Sequence, residues 1–404
     1  MTRWNLAVVL AAACPLGAQT APISLKASLV LDGRGGATSD VTVTIQGSKI
    51  ASVERSRAPA TYDLTGLTLM PGGIDTHVHL SWHFDPDGKI HRDTSESPAE
   101  AVLYAMENAY RMLMSGITTV QSLGSPEDRY VRDAIARGVL PGPRILTSLG
   151  AISERTGSPE EIRRAVRRFA GAGADVIKIF ASASIREGGG PTMTPEQLEA
   201  ACGEARSLGL RTAVHAHGPE SAQRAVRAGC TTIEHGALLD RQTLSLMADA
   251  GTFYDPNIHL IFRNYFENKD RYLGVGNYTE EGFAQMERAV PVALEVFRTA
   301  IAQPRLKVVF GTDAVAGAHG RNFEELIYRV REGGQEPMAA IVSATSLAAE
   351  SLGLQDLIGS VASGFEADLI ALDGNPLEDI TALRRVMFVM KGGKIYKGPV
   401  PTRP

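Results

Sequence analysis

The feature that most constrains this chain is a change of hydrophobic period that recurs between residues 72 and 314. Short apolar runs ("GGIDTHVHL", "GITTVQSL", "RILTSLG", "DVIKIF", "RTAVHAH", "TTIEHG", "TFYDPN" and "KVVFGTDA") read as eight strands. Segments with helical spacing lie between them, among them "SPAEAVLYAMENAYRMLMSG", "SPEEIRRAVRRFAGAG" and "TPEQLEAACGEARSLG". Each of these three opens with Ser or Thr followed by Pro and acids and closes at Gly, as helix termini do. Eight strands alternating with helices predict an α/β fold, a (β/α)8 TIM barrel over residues 68–359.

The two ends follow another rhythm. Residues 19–67 and 360–404 carry short runs with Val, Ile and Thr at period two, such as "VTVTIQGSKIASVE" and "RVMFVMKGGKIYK". The shared "G-x-K-I" hairpin pattern predicts one small β-sandwich-like domain assembled from both termini. The first residues, "MTRWNLAVVLAAACPLGAQTAP", read as a signal peptide over residues 1–18, with Arg3, an apolar Leu6–Ala13 run and a cut after Ala18. Lipid attachment at Cys14 is the rival reading, weakened by Ala11 where a larger aliphatic is usual. The enzyme is therefore expected to be exported, periplasmic or secreted. Cys202 and Cys230 are too few for a disulfide framework. They read as buried, with a pairing between them left open. A net charge of −4 and no basic run exclude a nucleic-acid partner, and no later stretch is long and apolar enough for a transmembrane segment. Self-association is not legible.

Barrel enzymes present their chemistry at the C-terminal ends of the strands. Five of the nine histidines fall there: His77 and His79 on strand 1, His215 and His217 on strand 5, His235 on strand 6. Residues two apart in a strand share a face, so each pair can converge on one point. Asp313 ends strand 8. Lys178, between Ile177 and Ile179, points opposite to them, into the barrel. An unpaired ammonium there is costly, so it needs a partner or a modified form. His235 alone reads equally as a core histidine and Asp313 as a turn cap, but taken together the coincidences are too many. His83, His91 and His319 lie on loops after strands 1 and 8, where contact with substrate is one reading and a solvated histidine the commoner one.

"PGGIDTHVHL", "DVIKIF", "AVHAHG", "IEHG" and "GTDA", in that order, resemble the amidohydrolase superfamily, in its imidazolonepropionase-like branch with Xaa-Pro dipeptidases and ochratoxinase-like amidases. The resemblance implies two divalent metal ions, with zinc suited to the donor set. His77, His79 and Asp313 would hold one ion, and His215 and His235 the other. Lys178 would bridge them after carboxylation by carbon dioxide. Which of His215 and His217 is the ligand stays open. The implied reaction is cleavage of an amide (C–N) bond of a dipeptide or N-acyl amino acid by a metal-bridging hydroxide. Asp313 would shuttle the proton, and His217, with Tyr254 as a second candidate, would stabilise the oxyanion. The chain departs from the branch at Gln121 and Ser122, where Arg-Asp is common, and in the short "GAISERTGS" loop after strand 3. A lactonase or esterase would use the same residues. A mononuclear cyclic-amide hydrolase or deaminase would lack Lys178, and a non-catalytic binding protein would have lost ligands that are all intact here.

Overall fold

The computed structural model describes residues 21–56, 58–91 and 96–399. The predicted leader, with Cys14 and Ala18, lies outside the described residues. The chain opens with four strands, β1 (Ile23–Leu31), β2 (Ala37–Gln46), β3 (Lys49–Glu54) and β4 (Tyr62–Pro71). β1 pairs antiparallel with β2 and parallel with β4.

At Gly72 the chain leaves this sheet for the barrel. A Cβ there would collide with Thr118, so the close approach of the two layers requires glycine. The barrel strands are β5 (Gly73–Val78), β6 (Ile117–Ser122), β7 (Arg144–Thr147), β8 (Ala151–Ile152), β9 (Val176–Phe180), β10 (Arg211–Ala216), β11 (Thr232–His235) and β12 (Phe253–Asp255). β7 and β8 are two pieces of the third staves' run, paired with β6 and β9 respectively. The eighth position is filled by residues 307–314, which hydrogen-bond to both neighbours: Val309 N–H donates to Tyr254 O (2.8 Å) and Asp313 N–H to His77 O (2.8 Å). All eight positions of the predicted barrel are thus occupied.

Helices α1 (Pro98–Met114), α2 (Asp128–Ala136), α3 (Pro159–Gly171), α4 (Pro195–Ser207), α5 (Pro219–Arg227) and α6 (Arg241–Ala250) alternate with these strands. α7 (Leu260–Glu267), α8 (Lys269–Tyr272) and α9 (Glu280–Ile301) follow β12, and α10 (Phe323–Arg331) follows the eighth position. The three predicted helix starts are capping boxes, Ser97 with Glu100, Ser158 with Glu161 and Thr194 with Gln197, each with proline in the first turn. Ile162, Ala165 and Val166 of α3, at helical spacing, pack with Ile177 and Ile179 of β9. That packing turns the residue between the isoleucines, Lys178, to the inside. Cys202 in α4 and Cys230 just before β11 form a disulfide, so the pairing left open by the sequence is made.

The chain then returns to the first sheet through β13 (Leu369–Asp373), β14 (Val386–Lys391) and β15 (Lys394–Lys397), giving the order β15-β14-β13-β4-β1-β2-β3. This single sheet curls on itself. Ala367 donates to Ser48 O and accepts from Gly393 N–H, which brings the turns at its two edges together. Leu25, Val43, Ile50, Phe388 and Met390, from across the sheet, share one buried cluster. No helix among the described residues is long and apolar enough to cross a membrane.

Candidate metal centre

Six side chains from five barrel positions line a cavity of about 290 Å³ at the barrel mouth, together with His217. They are His77 of β5 and His79 just after it, Lys178 of β9, His215 of β10, His235 of β11 and Asp313 at the eighth position. Asp313 Oδ1 lies 3.0 Å from His79 Nε2 and 3.5 Å from His77 Nε2. One ligand atom each from His77, His235 and Asp313 can be chosen so that all lie within 4.8 Å of one another. The rings of His77 and His235 are 5.1 Å apart, and those of His215 and His235 4.6 Å.

Lys178 Nζ stands 3.2 Å from His77 Nε2. A lysine ammonium offers donors only, so Nε2 accepts and the ring proton sits on Nδ1, where it is donated to Glu234 Oε2 at 2.9 Å. Burial, with Lys178 and two further histidines nearby, pushes His77 well below the usual imidazole range. The contact with Glu234 is therefore a hydrogen bond from a neutral ring. Burial likewise lowers His215 and His235 far below that range and His217 to about 3, with Arg186 adding to the last. It also lowers Lys178, against the pull of Glu234, Asp313 and Asp255. The neutral imidazoles of His77, His215 and His235, the ring of His79, a carboxylate and a desolvated lysine with no ion pair among the described residues form a donor set that fits a divalent cation.

The support beneath is acidic. Burial and the adjacent carboxyl of Asp255 push Glu234 well above the usual carboxyl range. Asp255 accepts from Thr76 Oγ1 (2.7 Å) and Asn257 Nδ2 (2.9 Å). Asp75 holds β5 to the eighth position by accepting from Thr312 Oγ1 and Asn322 Nδ2, both at 2.7 Å. Three non-glycine residues of the cavity wall, His235 (φ 68°), Asn257 (φ 44°) and Asp313 (φ 51°), adopt left-handed backbone. Each costs on the order of 1–3 kcal/mol and is sustained by the surrounding hydrogen bonds.

Tyr254 stands apart from this group. It is fully buried, its hydroxyl donates toward the carbonyls of His235 and Gly236, and it does not line the cavity. His217 Nδ1, by contrast, is buried without a hydrogen bond among the described residues. His83 and His319 are buried rather than solvated, and His319 donates to His79 O at 3.0 Å. Sequence reasoning missed Arg186, which lines the cavity, donates from Nε to Asn277 Oδ1 (3.0 Å) and lies over the Tyr278 ring at 4.1 Å. Its signal was a lone cation in "SASIREGGG", on the loop that follows the lysine strand. Tyr265, from α7, was missed too and shares the cavity wall with Arg186.

The amidohydrolase family model matches residues 68–396. Ochratoxinase of Aspergillus niger is 29% identical over 374 residues, covering 82% of this chain and 76% of the relative. A solved Xaa-Pro dipeptidase with methionine bound in its active site is 31% identical at a TM-score of 0.84, covering 94% of this chain and 100% of its own. A putative prolidase from Bifidobacterium longum is 27% identical at a TM-score of 0.80, covering 96% and 97%.

Proposed function

Because this chain belongs to the amidohydrolase family and is a hydrolase acting on carbon–nitrogen bonds, we propose that its substrates are dipeptides or N-acyl amino acids with a free carboxylate. The observation that carries this reading is Arg186. Its guanidinium shares a cavity with the histidines and is steadied by Asn277 and Tyr278, with no carboxylate partner among the described residues. A desolvated guanidinium calls for an anion from the substrate, and carboxylate matches its planar fork. The cavity, about 290 Å³, is at the small end of ligand pockets of roughly 300–1,000 Å³, which suits a dipeptide-sized molecule. Trp82, Phe180 and Phe262 offer an apolar wall for the acyl group or side chain.

His77, His79 and Asp313 would hold one metal ion and His215 and His235 a second, most simply zinc, with Lys178 as a carboxylated bridge. Carboxylation bonds Nζ to the carbon of carbon dioxide, with two protons released from the ammonium in all, replacing a buried cation by oxygen ligands. Such ions supply Lewis-acid polarisation and a water of lowered pKa. Arg186 holds the carboxylate end and so sets the register of the scissile bond. His217, whose ring lacks a protein partner at Nδ1, is free to donate to the carbonyl oxygen as it gains charge. Asp313 takes the proton from the attacking water and delivers it to the leaving nitrogen. The disulfide supports the expectation of export, since such bonds persist in oxidising compartments.

The test is a panel of dipeptides, N-acyl amino acids, their carboxamide analogues, esters and lactones, assayed with metal-loaded enzyme and with Arg186→Met. Free-carboxylate amides should be preferred by wild type, and Arg186→Met should lose that preference while keeping its metal. Turnover confined to lactones or esters would overturn the reading.

A further inference from the structure

We propose that His83, His91 and Glu96 form a second divalent-cation site, outside the barrel centre, with the chemistry of zinc. None of the three lines the barrel-mouth cavity. They border a separate cavity of about 720 Å³. Their ligand atoms lie within 4.8 Å of one another, with His83 Nε2 3.4 Å from Glu96 Oε1 and His91 Nε2 3.1 Å from Glu96 Oε2. Two ligands about 2.0–2.1 Å from one tetrahedral zinc stand about 3.3 Å apart, so these spacings need little adjustment.

The backbone builds the site. Phe84 and Ile90 form an antiparallel bridge, and His91 N–H donates to His83 O at 3.0 Å, which sets the two imidazoles side by side. The hairpin is pinned from outside by Ile90 N–H to Arg271 O. Glu96 directly precedes Ser97, the cap of α1, and Tyr104 of that helix stacks on His83 at 3.7 Å. A cation here would tie the loop after β5 to the start of α1.

With both rings neutral, the contact between His83 and Glu96 is poorly matched. His83 Nδ1 lies 2.9 Å from Ser81 O, so its proton is committed there and Nε2 of the neutral ring turns a lone pair toward Glu96. An acceptor then faces an acceptor, and Glu96 Oε1 is buried without a hydrogen bond among the described residues. Charging both rings instead would stack two cations 4.8 Å apart beside one carboxylate. A divalent ion at the three atoms removes both conflicts. The commitment of His83 Nδ1 to a carbonyl is also the usual support of a metal-bound imidazole. Asp85, Asp87 and Glu100 line the same cavity against Lys89, which favours a cation further.

The experiment is equilibrium dialysis of the full chain against zinc followed by elemental analysis. His91→Ala and Glu96→Gln should each hold one equivalent fewer than wild type, with amide hydrolysis retained. Equal zinc content in folded wild type and variants would overturn the proposal. A second arm disables the barrel centre with His77→Ala and His235→Ala and leaves the loop intact. X-ray absorption should then find zinc with imidazole and carboxylate donors, and loss of that signal on adding His91→Ala. A folded chain that binds no zinc overturns the proposal independently of the loop variants.

Discussion

Glu234 Oε2 lies 2.9 Å from Nδ1 of His77, and neither side chain reaches solvent. The bond fixes the ring so that Nε2 faces Lys178 and Asp313. Glu234→Gln is close in size and should keep the fold. Because burial raises this carboxyl far above its usual range, removing it should not lower the thermal midpoint of the metal-free protein near neutral pH. Metal affinity should nonetheless fall about 10–100-fold, the usual effect of losing such a support. Competition with a chelator of known affinity measures it, and unchanged affinity would remove Glu234 from the role.

Lys178 is the test of the two-ion reading. With His83, His91 and Glu96 kept constant, Lys178→Ala should reduce the metal content of the barrel centre and lower hydrolysis sharply. A short carboxylic acid added at high concentration should restore part of both, by placing oxygen donors where the side chain stood. Metal content that is insensitive to Lys178→Ala would rule out a bridging role.

Asp313 sits 3.0 Å from His79 Nε2 on left-handed backbone, and asparagine tolerates that conformation well. Asp313→Asn should therefore fold. Its kcat should drop by about 10²–10⁴, the scale of a positioned acid–base group. Metal content must be measured beside the rate, since loss of a ligand gives the same drop. A metal-replete variant with near-normal turnover would exclude the proton-shuttle role.

Asp128 is buried at the start of α2 and its carboxyl is pushed up to about 6 from 3.8 by desolvation, against hydrogen bonds from Ser122 and Thr147. The folded protein thus holds a proton that the unfolded chain releases between about pH 4 and pH 6. Stability falls as pH rises through that window, by on the order of 3 kcal/mol. Asp128→Asn has no such dependence. The difference in thermal midpoint, variant minus wild type, should grow more positive from pH 4 to pH 7, and a flat difference would contradict the shifted carboxyl.

Much of the barrel was legible because its signals are local. Ile177 and Ile179 must pack outward under α3, so Lys178 could be placed inward from three consecutive residues. Capping boxes at Ser97, Ser158 and Thr194 marked helix starts for the same reason. What failed to show were relations between distant segments. Tyr254 looked available, but its hydroxyl is taken up by the carbonyls of His235 and Gly236, which no strand pattern reveals. Gln121 and Ser122 read as departures from the Arg-Asp of the branch. Each has a charged neighbour supplied from elsewhere: Arg211 donates to Gln121 Oε1 at 2.8 Å, and Asp128 lies beside Ser122. His83 and His91 read as solvated because the hairpin that buries His83 and half-buries His91 depends on Arg271, far along the chain.

The sheet made from both chain ends also imposes an order in time. β4 lies between β1 and β13, and about 300 residues of barrel separate β4 from β13. A ribosome adding about 5–20 residues per second needs roughly 15–60 s to cross that interval. Throughout it one edge of β4 lacks its strand, leaving Leu69 and Met70, both fully buried in the finished fold, without their β13 partners. The barrel can close before the sheet can. A nascent chain halted after Asp313 but before Leu369 therefore carries a complete set of barrel-mouth side chains and an open, apolar strand edge, which marks it as unfinished to a chaperone or protease while its catalytic centre can already assemble.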